Sequence, residues 1–390
     1  MNNFEQELSG RLQTLKSEGL YRELRRVDSA QGTHLQMGGR TLVNFSSNDY
    51  LGLANHPALK EATAKVVERF GAGSGAARLI SGSLAPHHEL EEALAAFKGT
   101  QAALSFSSGY ATAIGTICAL LGKDDVIIID KLVHACVVDA ARLSGAKLRV
   151  FDHNDLNDLE TILKWADAQS GQKLVVTESV FSMDGDRAPL REIVDLKDKH
   201  GAWLMIDEAH ATGLYGASRR GLAEELGVGE RIEIQMGTLG KALGAGGGYI
   251  CGSRTMIDYL LNRARSFIFS TAPVPAAAAA ATAGIRFVQS IQGEELRRNL
   301  WNRISTFEKT RNEQRSTASG AIIPVIIGDE GKTVETANLL RAAGFYVPAV
   351  RYPTVARGQA RLRVTLTATH SLGDIFAFSR ALDEIVNRKL

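Results

Sequence analysis

Short apolar runs recur through the middle of this chain, each separated from the next by a helical stretch. They are AALSF (102–106), DVIII (125–129), KLRVF (147–151), KLVVT (173–177), AWLMI (202–206), IEIQM (232–236) and GYICG (248–252). The runs are rich in β-branched or aliphatic residues and bounded by turn-forming ones, which reads as strand. Apolar residues at consecutive rather than alternate positions mean that both faces of each strand are covered, and the intervening helices supply the cover. The pattern predicts an α/β fold with a mostly parallel seven-stranded sheet between helices. Ligands in such sheets sit beyond the carboxyl ends of the strands, so the residues that follow each run carry the functional information.

The pattern changes towards the C-terminus. An alanine-rich stretch, TAPVPAAAAAATAGI (271–285), reads as a helix packed closely on a neighbour, and a long charged helix follows over 290–315. Then come AIIPVII (321–327), a helix at 333–344, YVPAV (346–350), ARLRVTLT (360–367) and a final helix to Leu390. This β-α-β-β-α series predicts a small C-terminal α+β domain. The expected division is an N-terminal helix and arm over 1–45, a large domain over 46–288 and the small domain over 289–390.

Charge and cysteine content narrow the function classes. Lys and Arg total 45 against 43 acidic residues, a net charge of +2 that provides no field for nucleic acid or a membrane surface. Cys118, Cys136 and Cys251 are widely spaced and odd in number, which suits a reducing compartment and matches no metal site. MNNFEQELSG lacks the basic and apolar regions of a secretory signal. The expected location is the cytoplasm, with small molecules as ligands and no metal.

GTLGKALGAGGG (237–248) places Lys241 among small residues. A phosphate-binding P-loop would need Gly where Gln235 stands and Ser or Thr where Ala242 stands. A dinucleotide turn starting at Gly246 would need Gly at Cys251. Two readings remain: a solvated lysine in a glycine-rich turn, or an amine desolvated enough to form a Schiff base. Its neighbours favour the second. Pyridoxal phosphate (PLP) needs a lysine for its aldehyde, a carboxylate at its ring nitrogen and donors for its phosphate. Asp207 directly follows an apolar run, and His210 lies three residues on. Ser107, Ser108 and Gly109 open a helix after another run, as an anion site or as a plain serine cap. His134, Ser182 and Thr238 bring polar groups to three further strand ends.

NFSSNDYLGLANHP, VTESVFSMDGDRAPL, DEAHATGLYG, TLGKALGAGGGYICGS and RLRVTLTATHS resemble, in content and order, the α-oxoamine synthases, a fold-type-I PLP family. The resemblance spans about residues 20–385. It implies that Lys241 anchors PLP, that Asp207 pairs with the ring nitrogen and that His210 meets the phenolic oxygen. It further implies that His134 stacks on the ring, that Ser182 bonds the cofactor, and that Gly109, Tyr110 and Thr238 hold the phosphate side. Arg363 matches the arginine that takes the amino-acid carboxylate, while Thr354 and Arg22 match positions near the acyl chain. The register at YRELRR is loose. IFST (268–271) is similar to a segment that reaches a neighbouring subunit, implying a homodimer with active sites at the subunit interface. The implied reaction is a decarboxylative condensation of an amino acid with an acyl thioester. The match is best to the biotin-biosynthesis branch, which uses L-alanine and pimeloyl-CoA or a pimeloyl carrier protein. The alternatives are glycine C-acetyltransferase within the family and a PLP aminotransferase outside it.

Overall fold

The structure, a computed structural model, describes residues 2–310 and 320–387. Two compact units divide the chain: Asn48–Ser182 with Asp186–Arg298, and Met1–Ser47 with Met183–Gly185 and Asn299–Leu390. The second of these begins with a helix over Asn3–Ser17 and a hairpin of β1 (His34–Met37) and β2 (Arg40–Asn44). Gly38 and Gly39 turn it, both with positive φ, as a two-residue hairpin turn requires.

The other unit holds the large sheet. Its strands are β3 (Ala102–Phe106), β4 (Val126–Asp130), β5 (Lys147–Phe151), β6 (Lys173–Glu178), β7 (Trp203–Asp207), β8 (Ile234–Thr238) and β9 (Gly248–Gly252). Their order is β3-β9-β8-β7-β6-β4-β5, with β9 alone antiparallel to its neighbours. The apolar runs are explained by where alternate residues go. Ile127, Ile129, Leu174, Val176 and Met205 enter the core on one face, whereas Val126, Ile128, Val175, Leu204 and Ile206 enter the core on the other. Both faces are dry, and burying each such side chain contributes roughly 1.5–3 kcal/mol. The alanine-rich segment forms the helix Pro275–Val288, packed on the helices Pro57–Phe70 and Ala85–Lys98. A Cβ at Gly284 would lie 2.2 Å from the Leu243 carbonyl oxygen, so small residues here serve close approach.

The C-terminal strands are β10 (Ile322–Gly328), β11 (Phe345–Tyr346), β12 (Ala349–Val350) and β13 (Ala360–Thr365). They form two three-stranded sheets, β1-β2-β11 and β10-β13-β12. YVPAV thus yields two strands in different sheets, with Pro348, which has no N–H to donate, at the break. The charged helix runs Ile291–Thr310 and the last helix Leu372–Asn387, their expected continuations lying outside the described residues. No helix among the described residues is long and apolar enough to cross a membrane.

His370 ties this unit together. Its Nε2 donates to the Asn44 carbonyl at 3.0 Å, its Nδ1 accepts the Thr367 N–H at 3.0 Å, and its ring stacks on Phe45 at 4.3 Å. Burial pushes its pKa down from 6.5 to about 4. A depressed folded-state pKa means full stability above pH 6.5 and progressive loss as pH falls through about 4, up to about 3 kcal/mol. A His370→Gln protein should therefore show a flatter acid limb than wild type in urea melts across this range. Identical limbs would refute the assignment.

In the large-sheet unit, Lys98 and Glu208 form an ion pair whose side chains are 1% and 0% exposed. Lys98 also donates to the Arg220 carbonyl at 2.5 Å, and Glu208 accepts the Ala223 N–H at 2.9 Å. Lys98→Met would leave a buried carboxylate uncompensated, at a cost of about 3–5 kcal/mol. Adding Glu208→Gln should recover part of that loss in denaturant titrations.

Candidate active site

The carboxyl ends of β3, β4, β6, β7 and β8 share one rim of the large sheet, because these strands run parallel. The loop between β8 and its antiparallel partner β9 carries Lys241. It is closed by hydrogen bonds from Leu239 N–H to the Gly247 carbonyl (3.0 Å) and from Ala245 N–H to the Leu239 carbonyl (2.8 Å). Gly244, at φ +67°, passes so near residues 53–54 that a Cβ would sit 2.6 Å from the Leu53 carbonyl carbon. The glycines thus wedge the lysine loop against the segment that follows Tyr50.

Lys241 is partly buried and its amine is engaged. Nζ lies 2.8 Å from His210 Nε2, and His210 Nδ1 lies 2.7 Å from the Tyr50 hydroxyl. Tyr50 is 1% exposed and its hydroxyl reaches Asn48 Oδ1 at 3.4 Å. A consistent set of donors runs from Lys241 to neutral His210, then to Tyr50, then to Asn48. Tyr50 and Asn48 were not singled out from sequence. Their signal, NFSSNDYLGL, lies 160 residues from His210 and only folding joins them.

Asp207 ends β7 and is buried, with Oδ1 accepting the Ala209 N–H at 2.8 Å. Burial raises its pKa, and the positive charge of Lys241 only partly offsets this. Glu178, at the end of β6, stands opposite Asp207 in register and is equally buried. It was another residue that the sequence did not mark out. His134 caps the helix Ala135–Ser144, its Nδ1 accepting the Cys136 N–H at 3.2 Å. Partial desolvation lowers the pKa of His134, with Asp207 opposing and Lys241 reinforcing the shift. The ring is thus a neutral imidazole at the open rim. Ser182 is buried in the loop after β6.

The helix Gly109–Leu120 starts beside these groups. Ser108 caps it, its hydroxyl accepting the Ala111 N–H at 3.1 Å, so the plain-cap reading holds for that side chain. The Tyr110 hydroxyl donates to Asp139 at 2.8 Å, so the side chain points to the helix Ala135–Ser144. Geometry denies the first-turn amides of Gly109 and Tyr110 an acceptor within the helix. Backbones crowd here: a Cβ on Gly109 would meet Thr238 Cγ2 at 2.8 Å, and one on Gly248 would meet Gly109 Cα at 2.8 Å. Thr238 Oγ1 is buried with no hydrogen-bond partner among the described residues. An orphaned hydroxyl beside free helix-start amides fits a phosphate, and a buried carboxylate short of positive charge fits a protonated ring nitrogen. The residues present fit PLP.

Arg22, Thr354 and Arg363 belong to the other unit. Arg363 is buried on β13, in register with Pro324 of β10. Two residues before it on the same face, Arg361 pairs with Asp184 at 2.6 Å. Arg22 Nη2 donates to the Tyr352 carbonyl at 3.0 Å, beside exposed Thr354, whereas Arg26 pairs with Asp28. Arg22 is thus joined to the loop that carries Thr354.

The model of the aminotransferase class I and II family matches residues 40–382. An 8-amino-7-oxononanoate synthase of Geobacter sulfurreducens is 48% identical over 371 residues, covering 94% of this chain and 95% of its own. Another from Geotalea daltonii is 47% identical, with 97% of each covered. Among solved structures, a serine palmitoyltransferase from S. paucimobilis with a bound PLP–myriocin aldimine superposes with TM-score 0.91 at 29% identity, covering 98% of both chains. An 8-amino-7-oxononanoate synthase from Francisella tularensis superposes with TM-score 0.74 at 27% identity, covering 89% of this chain and 97% of that one. With strand order, PLP-compatible rim and near-full-length relatives in agreement, the chain belongs to the 8-amino-7-oxononanoate synthases, PLP-dependent acyltransferases within the aminotransferase class I and II family.

Proposed function

We propose that the rim around Lys241 condenses L-alanine with a pimeloyl thioester, pimeloyl-CoA or its carrier-protein equivalent. The products are 8-amino-7-oxononanoate, CO2 and the free thiol. The observation that carries this reading is a lysine amine 2.8 Å from the His210 imidazole on the same strand-end rim as the buried Asp207. When bound, PLP supplies an electron sink for the carbanion formed at the amino-acid Cα.

The side chains divide the remaining work. Lys241 anchors the cofactor and, once displaced by alanine, takes the Cα proton onto Nζ. Its bonded form carries less charge to compensate Asp207, so Asp207 holds a proton on the ring nitrogen in its place. His210 presents Nε2 both to Lys241 and to the phenolic oxygen. Tyr50 serves either tautomer of His210, because a hydroxyl donates and accepts. Thr238 and the Gly109 and Tyr110 amides hold the phosphate, His134 covers the ring and Ser182 bonds it at the side. Arg363 takes the alanine carboxylate in a bidentate pair, while Arg22 and Thr354 hold the acyl chain. IFST (268–271) completes the phosphate site of a second subunit in a cytoplasmic homodimer.

One observation favours a second reading of substrate choice, since serine palmitoyltransferases superpose with TM-score 0.91. A thiol-release screen of alanine, glycine and serine against pimeloyl-, acetyl-, succinyl- and palmitoyl-CoA separates the two. Alanine with pimeloyl-CoA should lead every other pair by at least about tenfold, and a lead by serine with palmitoyl-CoA would overturn the assignment.

Lys241→Ala should abolish turnover and the borohydride-trapped cofactor together. Asp207→Asn should still fold, yet lose about 10²-fold or more in kcat. Wild-type kinetics in the asparagine enzyme would remove the electrostatic role given to Asp207.

A further inference from the structure

Glu178 is a carboxylate where the strand pattern calls for an apolar side chain. It is 2% exposed, ends β6, and faces the side on which Leu174 and Val176 enter the core. Burying an anion there is costly unless hydrogen bonds compensate it. Its two oxygens each accept a backbone N–H: Oε1 from His134 at 2.5 Å and Oε2 from Ser182 at 3.1 Å. These donors belong to separate loops, one after β4 and one after β6, and both loops end in residues assigned above to the cofactor.

A second tie closes the same two loops from outside. His153 Nδ1 lies 2.9 Å from Asp130, where the first loop begins, and Nε2 lies 2.8 Å from Asp186 in the second. Asn154 reinforces it, its N–H donating to Asp130 at 3.0 Å and its side-chain amide to Asp186 at 3.0 Å. With that outer clamp in place, removing Glu178 need not unravel the loops. What it would release is the aim of the imidazole at the tip of the first loop.

We propose that Glu178 is a positioning residue: its buried carboxylate couples the His134 loop to the Ser182 loop and so holds the imidazole over the ring plane. This rests on the reading of His134 as the residue that covers the ring. Burial and then Asp207 raise the Glu178 pKa, while Lys241 and the two amide donors act against them, so the carboxyl senses the site it organises. Glutamine has the same shape but offers an amino group to one of the two N–H donors, breaking one tie while filling the same space.

The test uses the PLP-loaded full-length enzyme as wild type, Glu178→Gln, His134→Ala and the double variant. Glu178→Gln should lower kcat/KM for alanine by about tenfold or more and alter the visible circular dichroism of the bound cofactor. In the double variant its effect should vanish, leaving kcat/KM within about twofold of His134→Ala. Wild-type kinetics and dichroism in Glu178→Gln, or losses that multiply in the double variant, would overturn the proposal. If His134→Ala itself kept wild-type kinetics and dichroism, the covering role of His134 would fail, and the proposal with it. Hydrogen exchange on the unmodified protein needs no variant to fold. The His134 and Ser182 amides should be strongly protected although His134 sits on an exposed rim, and rapid exchange at either would overturn the tie.

Discussion

A carboxylate buried at the end of a central strand is the constraint on which the rest of this structure turns. Asp207 lies between β6 and β8, beyond water, where an uncompensated charge is expensive. Its relief comes from the Lys241 charge and from the Ala209 amide, both delivered by strand-end loops. The lysine must therefore be held nearby, and the tight β8–β9 turn with its glycines holds it. In the role proposed for Lys241, bonding to the cofactor would diminish its charge, and a protonated ring nitrogen would replace it beside Asp207.

The surrounding groups read as consequences. His210 must stay neutral to accept from Lys241 Nζ, and the Tyr50 hydroxyl supplies the compatible partner. His134 is kept neutral by partial desolvation, which suits the ring-covering role proposed for it. Glu178 adds a second buried carboxylate beside Asp207, and its two backbone amide bonds account for its presence. At the proposed phosphate end stand first-turn amides and the Thr238 hydroxyl, with no room for a Cβ on Gly109 or Gly248.

Much of this was legible before folding. Continuous apolar runs announced a doubly covered sheet, and residues after them pointed to the strand ends proposed to carry chemistry. Asp207 and Lys241 stood out because a charge next to apolar or small neighbours needs a reason. Tyr50 and Glu178 were not legible. Tyr50 looks like any core aromatic, and Glu178 like the polar end of a strand. Ser108 read equally well as an anion ligand or a cap, and hydrogen bonding decided for the cap. The hairpin over 34–44 was not read from sequence, and its pairing with β11, some 300 residues on, left no local signal.

The amino-acid sequence by itself determined the fold class, the large sheet and the nomination of Lys241 and Asp207 as the pair proposed to hold the cofactor. Those follow from local rules: apolar periodicity, and the cost of isolating a charge. Only the tertiary structure decided which residues serve that pair, because hydrogen bonds between loops far apart in the chain leave no periodic trace. It also joined Arg22 to the Tyr352 carbonyl, a pairing with no local signal. Local composition states what a residue needs; the fold alone states who provides it.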